Sequence, residues 1–234
     1  MNLLSAERMC GGYGGPDIIS ECTIAVGRGE VAVIVGPNGA GKSTAMKAIF
    51  GMIRLSSGAV ALDGDDITAL PPQARVERGM AFVPQTGNVF AGMTVEENLE
   101  MGAYLRRDDF RDSLEQVYEL FPVLRDKRRQ AAGELSGGQR QQLAVGRALM
   151  TEPTLLMLDE PTAGVSPIVM DELFDRILDI RAKRIGVLMV EQNARQALQI
   201  ADTGYVLVNG ENRYTGSGAS LLADPEVRST FIGG

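Results

Sequence analysis

Three groups of residues in this chain have the types and spacing for phosphate chemistry. Gly36-Pro37-Asn38-Gly39-Ala40-Gly41-Lys42-Ser43 fits the pattern G-x-x-x-x-G-K-S without a mismatch. In such a run, glycine conformations turn backbone N–H groups inward around phosphate oxygens, at the positive end of the helix that follows. Lys42 would then reach the outer phosphates, Ser43 would ligate Mg2+ and Thr44 would hold the innermost phosphate. No Asn-Lys dipeptide occurs, so the N-K-x-D guanine reader has no counterpart. Further along, Leu155-Leu156-Met157-Leu158-Asp159-Glu160 closes an apolar run with two carboxylates. Asp159 suits contact with Mg2+, direct or through water, and Glu160 suits polarisation of an attacking water. By itself the pair also reads as acidic capping residues before Pro161. The third group is Leu135-Ser136-Gly137-Gly138-Gln139. Ser136 and Gln139 have the spacing of a capping box, while Gly137 and Gly138 let backbone approach an anionic ligand at a helix N-terminus. One nucleotide site has little use for two phosphate-binding turns, so the second is read as serving a neighbouring chain.

These groups need elements to hold them. Glu30-Val31-Ala32-Val33-Ile34-Val35 is rich in β-branched residues and predicts a buried strand, with Gly36 opening a turn directly after it. A helix is predicted from Ser43 to about Phe50. Further buried strands are predicted over 154–158 and 187–190. Two runs, 59–64 and 205–210, end in Asp-Gly and Asn-Gly, strong hairpin signals, so antiparallel ribbons are expected beside a parallel core. Between about 89 and 150 the texture becomes charged and helical. Phe110, Leu114, Val117, Tyr118 and Phe121 form a stripe at helical period that Pro122 should end, and a helix is expected from Ser136 through about Met150. The fold class is therefore α/β, with an antiparallel β subdomain and an inserted α-helical subdomain, as one domain over 1–234.

Composition narrows the chemistry. The chain has 234 residues, 23 basic against 30 acidic, for a net charge of −7. That balance disfavours nucleic acid as the main partner, because phosphate neutralisation needs clustered Lys and Arg. Histidine is absent, which removes Ser-His-Asp hydrolysis and most catalytic zinc sites and leaves a carboxylate as the base. Cys10 and Cys22 build neither a zinc site nor a disulfide framework, and two reduced cytosolic thiols are expected. The first residues lack the apolar run of a signal peptide, and no stretch approaches the roughly 18 apolar residues of a membrane span. Any membrane role is thus expected from the cytoplasmic side, through a partner.

With these motifs in place, the chain resembles the ATP-binding subunits of ABC transporters over essentially its whole length. The resemblance implies a P-loop NTPase core of RecA type, ATP and Mg2+ as cofactors, ATP hydrolysis as the activity and a head-to-tail pair of ATPase subunits. In that family Leu-Ser-Gly-Gly-Gln of one subunit closes over ATP bound to the other. Gln85, in Phe82-Val83-Pro84-Gln85, matches the glutamine that touches Mg2+ and senses the membrane partner; alone it reads as an exposed loop glutamine. Tyr13, in Gly12-Tyr13-Gly14, matches the aromatic that stacks on adenine, and otherwise reads as a surface tyrosine. Gly164-Val165-Ser166-Pro167 matches the D-loop region, with Pro167 where Asp is frequent; Ser166 and Pro167 also suit a helix N-cap and first turn. The clearest departure is Gln192, in Val190-Glu191-Gln192-Asn193, where most members carry a histidine. Glutamine can still bond a γ-phosphate or water but takes up no charge near neutral pH.

That substitution, the run from Gln85 to Leu99 and the ending from Leu221 to Gly234 are similar to the second ATPase subunit of bacterial importers for branched-chain amino acids, urea or short amides. The branch implies a partner ATPase of different sequence, permease subunits, an indirect periplasmic binding protein and the cytoplasmic face of the inner membrane. Val89, Phe90 and Met93 are candidate permease contacts or, equally, packing at the subdomain junction. Two alternatives stay open: an exporter ATPase of the lipid-extraction type, and a soluble ABC protein without a permease. One phosphate loop and a charge of −7 weigh against the latter.

Overall fold

The computed structural model describes residues 2–232. The chain begins with β1 (Asn2–Gly11), β2 (Ile19–Gly27) and β3 (Val31–Val35), then α1 (Lys42–Ile49). Next come β4 (Leu55–Leu62), β5 (Asp65–Asp66), α2 (Pro72–Glu77) and β6 (Met80–Val83). A helical stretch follows: α3 (Val95–Gly102), α4 (Arg111–Leu120), α5 (Pro122–Asp126) and α6 (Gly137–Leu149). The chain then alternates β7 (Leu155–Asp159), α7 (Pro167–Ala182), β8 (Gly186–Val190) and α8 (Ala194–Ile200), and ends with β9 (Thr203–Val208), β10 (Glu211–Gly216) and α9 (Gly218–Ala223) before short terminal turns.

Two sheets result. The larger has the order β10-β9-β3-β8-β7-β6 and the smaller β2-β1-β4-β5. In the larger sheet β9, β3, β8, β7 and β6 run parallel and β10 pairs antiparallel at the edge. Every residue of β3, β7 and β8 is buried, because helices or the second sheet cover both faces, and this is why the strands read as unbroken apolar runs. The period of two sorts them between two cores. Val31, Val33, Leu156, Leu158, Val187 and Met189 face the core shared with the helical stretch. Ala32, Ile34, Leu155, Met157, Leu188 and Val190 face the core shared with α1 and the smaller sheet.

Both hairpin expectations match observed turns. Asp63 and Gly64 (φ 55° and 89°) join β4 to β5, and Asn209 and Gly210 (φ 50° and 84°) join β9 to β10. The second ribbon differs from expectation in one respect: its first strand pairs parallel to β3, so it belongs to the core sheet rather than flanking it. In the helical stretch Val117, Tyr118 and Phe121 are buried as the stripe requires. Pro122 ends α4 but also opens α5 at its first turn, where a missing N–H is harmless. Val89 packs against the core, which favours the junction reading for that residue, while Phe90 is exposed. The strands β1 and β2 and the helices α8 and α9 had no clear sequence signal. Gly233 and Gly234, part of the C-terminal resemblance, lie outside the described residues.

Candidate active site

The strand order puts the candidate residues side by side. The phosphate loop leaves the end of β3, Gln192 follows β8, Asp159 and Glu160 close β7 and Gln85 follows β6, on four neighbouring strands. Parallel strands present all these ends at one edge, the general place for ligands in open α/β sheets.

α1 starts at Lys42 with Gly41 as its N-cap, has no side-chain cap hydrogen bond and has no acidic residue in its first turn. By contrast, α3 and α6 both carry full capping boxes. The first N–H groups of α1 are therefore left for an outside acceptor at the positive end of the helix, and a phosphate satisfies both demands. Gly36 has φ 148°, and a Cβ there would lie 2.2 Å from the Leu207 carbonyl oxygen, so the loop can rest against β9 only without a side chain. The Gly210 N–H donates to the Ala40 carbonyl at 2.9 Å, so the β9–β10 turn braces the loop.

Lys42 is 6% exposed, and its ammonium donates to the carbonyls of Gly36 (2.9 Å) and Pro37 (3.1 Å). Burial holds its pKa below the usual lysine value, opposed by the nearby carboxylates of Glu160 and Asp159. Ser43 Oγ donates to Asp159 Oδ1 at 2.8 Å. Glu160 leaves the strand in a left-handed conformation (φ 49°), and its Oε2 accepts from Gln85 Nε2 at 2.7 Å. Gln192 Nε2 donates to Asn38 Oδ1 of the phosphate loop at 2.8 Å. Around them is a cavity of about 570 Å3 lined by Ile18, residues 38–44 and Glu160.

The oxygens present suit a hard cation. Among the described residues no three Asp, Glu, Cys or His side chains cluster, so the protein alone offers no metal cage. Ser43 Oγ and Asp159 Oδ1 supply two oxygens, a set that fits Mg2+ when phosphate oxygens and water complete the shell.

Other candidates lie apart. Tyr13 is 61% exposed on the loop between β1 and β2, with Lys47 of α1 5.8 Å from its ring centroid, and it does not line the cavity. Ile18 of the same loop forms the wall instead. Ser136 and Gln139 cap α6 reciprocally: Ser136 Oγ accepts from the Gln139 N–H (3.3 Å), and Gln139 Oε1 accepts from the Ser136 N–H (3.1 Å). None of residues 136–139 lines the cavity. The paired glycines have different surroundings. A Cβ on Gly138 would sit 2.3 Å from Val169 Cγ1, so this glycine also serves close packing of α6 on α7 within the chain. A Cβ on Gly137 would meet only the Gly164 carbonyl, at 3.9 Å. Ser166 is the N-cap of α7 and Pro167 its first residue, but the serine side chain makes no cap bond. Sequence reasoning missed Ile18, Glu191 and Thr162; apart from lying beside motif residues, they carry no signal of type or spacing.

Residues 19–163 match the protein-family model described as ABC transporter. The chain is 40% identical over 233 residues to the high-affinity branched-chain amino acid transport ATP-binding protein BraG of Pseudomonas aeruginosa, covering 99% of this chain and 100% of that one. It is 33% identical over 239 residues to the lipopolysaccharide export system ATP-binding protein LptB of Haemophilus influenzae, covering 100% and 98%. Among solved structures, the ADP conformation of MJ1267, an ATP-binding cassette of an ABC transporter, superimposes with a TM-score of 0.89 at 31% identity, covering 97% of both chains.

Proposed function

Because the chain belongs to the ABC transporter family, as one of its ATP-binding ATPase subunits, we propose that it powers import of branched-chain amino acids or related small polar solutes by hydrolysing Mg·ATP between two head-to-tail subunits. One observation carries the hydrolytic part: Ser43 bonds to Asp159 while Gln85 bonds to Glu160, joining the ends of three strands at the phosphate loop. In this reading the α1 N-terminus and Lys42 hold the phosphates. Ser43, Asp159 and Gln85 would hold Mg2+, which would supply charge neutralisation at the outer phosphates. Glu160 takes the proton of the water that attacks the γ-phosphorus as the bond to the ADP oxygen breaks. Gln192 swings from Asn38 to donate to the γ-phosphate or the water. Ser136, Gly137, Gly138 and Gln139 close the site of the partner subunit. Tyr13 stacks on adenine from the β1–β2 loop.

The permease is expected on a groove of about 300 Å3 whose lining includes Phe82, Phe90, Met101, Tyr104, Leu105 and Arg147. Phe90, Met101, Tyr104 and Leu105 are all exposed, and clustered exposed apolar side chains are the kind of surface that a protein partner covers. The groove adjoins β6 and so the Gln85 turn, which gives a docked helix a short path to Glu160.

The importer reading leans on BraG; LptB, similar over the full chain, favours an export direction as the second reading. Membranes carrying candidate permeases should retain the chain and take up labelled leucine only when Glu160 is intact. Glu160→Gln should bind ATP, lose turnover and elute as a dimer with Mg·ATP on size exclusion. Parental turnover in that variant would remove Glu160 as the base; uptake unaffected by deletion of the chain would remove the importer assignment.

A further inference from the structure

Glu191 lies between β8 and Gln192 and is 1% exposed. Among the described residues no lysine or arginine pairs with it, and burial pushes its carboxyl above the usual glutamate range. Burying a carboxylate without a cation is costly, and an apolar side chain would fill the same space without that cost. What the carboxylate adds is acceptors. Oε1 accepts from the Thr162 N–H at 3.0 Å, and Oε2 accepts from Thr162 Oγ1 at 2.9 Å and from the Gln192 N–H at 3.1 Å. Asn193 Nδ2 donates to Thr162 Oγ1 at 3.2 Å, closing the cluster.

These bonds join two different turns. Thr162 belongs to the turn after β7, whose Ala163 N–H returns to the Glu160 carbonyl at 3.1 Å. Gln192 begins the turn after β8. The ladder between β7 and β8 ends at the pair Asp159 and Val190, with one further bond from the Glu160 N–H to the Val190 carbonyl at 2.9 Å. Both reacting side chains thus sit at or beyond the last rung, where the sheet no longer fixes their separation.

We propose that Glu191 is a positioning residue that fastens the Glu160 turn to the Gln192 turn, so that the base and the γ-phosphate donor address one phosphate as a unit. The inference rests on the catalytic reading of Glu160 and Gln192 given above. Glu191 does not line the cavity; it acts through Thr162 and the Gln192 backbone. Placement errors near 1 Å reduce turnover by about 100-fold, so loosening the clamp should act on kcat and leave nucleotide binding, which depends on the phosphate loop, in place.

The test is steady-state Mg·ATP turnover of the full chain, in whichever assembly, free or membrane-bound, hydrolyses ATP. Glu191→Gln keeps the shape but turns an NH2 toward donors. It should lower kcat about tenfold or more with KM changed less than about threefold. Thr162→Val, which removes one donor and keeps the backbone N–H, should shift kcat the same way by less. The double variant should be no worse than Glu191→Gln alone, since both act on one cluster. A kcat within about twofold of the parent in Glu191→Gln, or a loss expressed in KM alone, would overturn the proposal; if that variant does not fold, unchanged kcat in Thr162→Val does so. Glu160→Gln run alongside separates the two levels. Turnover retained in Glu160→Gln sinks the catalytic reading, whereas a dead Glu160→Gln with a normal Glu191→Gln sinks the clamp only.

Discussion

Gln192 reaches the phosphate loop with a group that cannot titrate. With no histidine in the chain, no side chain of ordinary pKa changes charge between about pH 6 and pH 8. Turnover should therefore lack an imidazole limb in that window. Gln192→His is expected to introduce one near pH 6.5, seen as a new inflection in kcat against pH. In the proposed mechanism Gln192→Ala removes a donor to the transferring phosphate and should lower kcat by about 10- to 100-fold. Parental kcat in Gln192→Ala would reduce its bond to Asn38 to local structure.

Among the elements, α6 carries the Ser136–Gln139 turn, and its pose depends on α7. Val169 leaves no room for a side chain at Gly138, so Gly138→Ala should push α6 from α7. Overpacking of this kind costs about 1–3 kcal/mol, visible as a lower thermal midpoint, together with weaker ATP-driven pairing. Val169→Ala in the same chain should recover most of the loss. A Gly138→Ala midpoint equal to the parent's would mean the helices part at no cost. α1 is fixed at its other end by Arg75, whose buried guanidinium donates to the carbonyls of Ala48, Ile49, Thr68 and Leu70. The phosphate-loop helix is thus open at its N-terminus for a ligand and tied at its C-terminus by a charge that suits the helix dipole.

At the scale of the whole molecule, the nucleotide cavity and the apolar groove are linked by β6, with Phe82 in the groove wall stacked on Phe50 at 5.1 Å and Gln85 two residues past the strand end. A docked permease helix that shifts the groove would shift Gln85 and hence Glu160. Leu105→Glu places a charge at the groove without touching the site. The variant should stay folded and bind ATP within about twofold of the parent, while membrane association and uptake fall at least tenfold, because an unpaired charge in an apolar contact is poorly tolerated. Undisturbed uptake would move the docking surface elsewhere. No described helix is long and apolar enough to cross a membrane.

The sequence by itself determined the local parts. The phosphate loop, the Asp159–Glu160 strand end, the α6 capping box and both hairpin turns are legible because each depends on a few neighbouring residues whose types dictate backbone geometry. The buried runs 31–35, 155–158 and 187–190 are legible because strands covered on both faces need apolar side chains throughout. Only the tertiary structure decided the order β3-β8-β7-β6, which brings Lys42, Gln85, Glu160 and Gln192 to one edge; strand pairing is made by backbone groups that are the same for every residue, so no motif encodes it. For the same reason the burial of Glu191 against Thr162, the 2.3 Å limit at Gly138 and the substitution of Ile18 for Tyr13 in the cavity wall could not be read from residue type. Each is a contact between segments far apart in the chain, fixed by packing rather than by spacing.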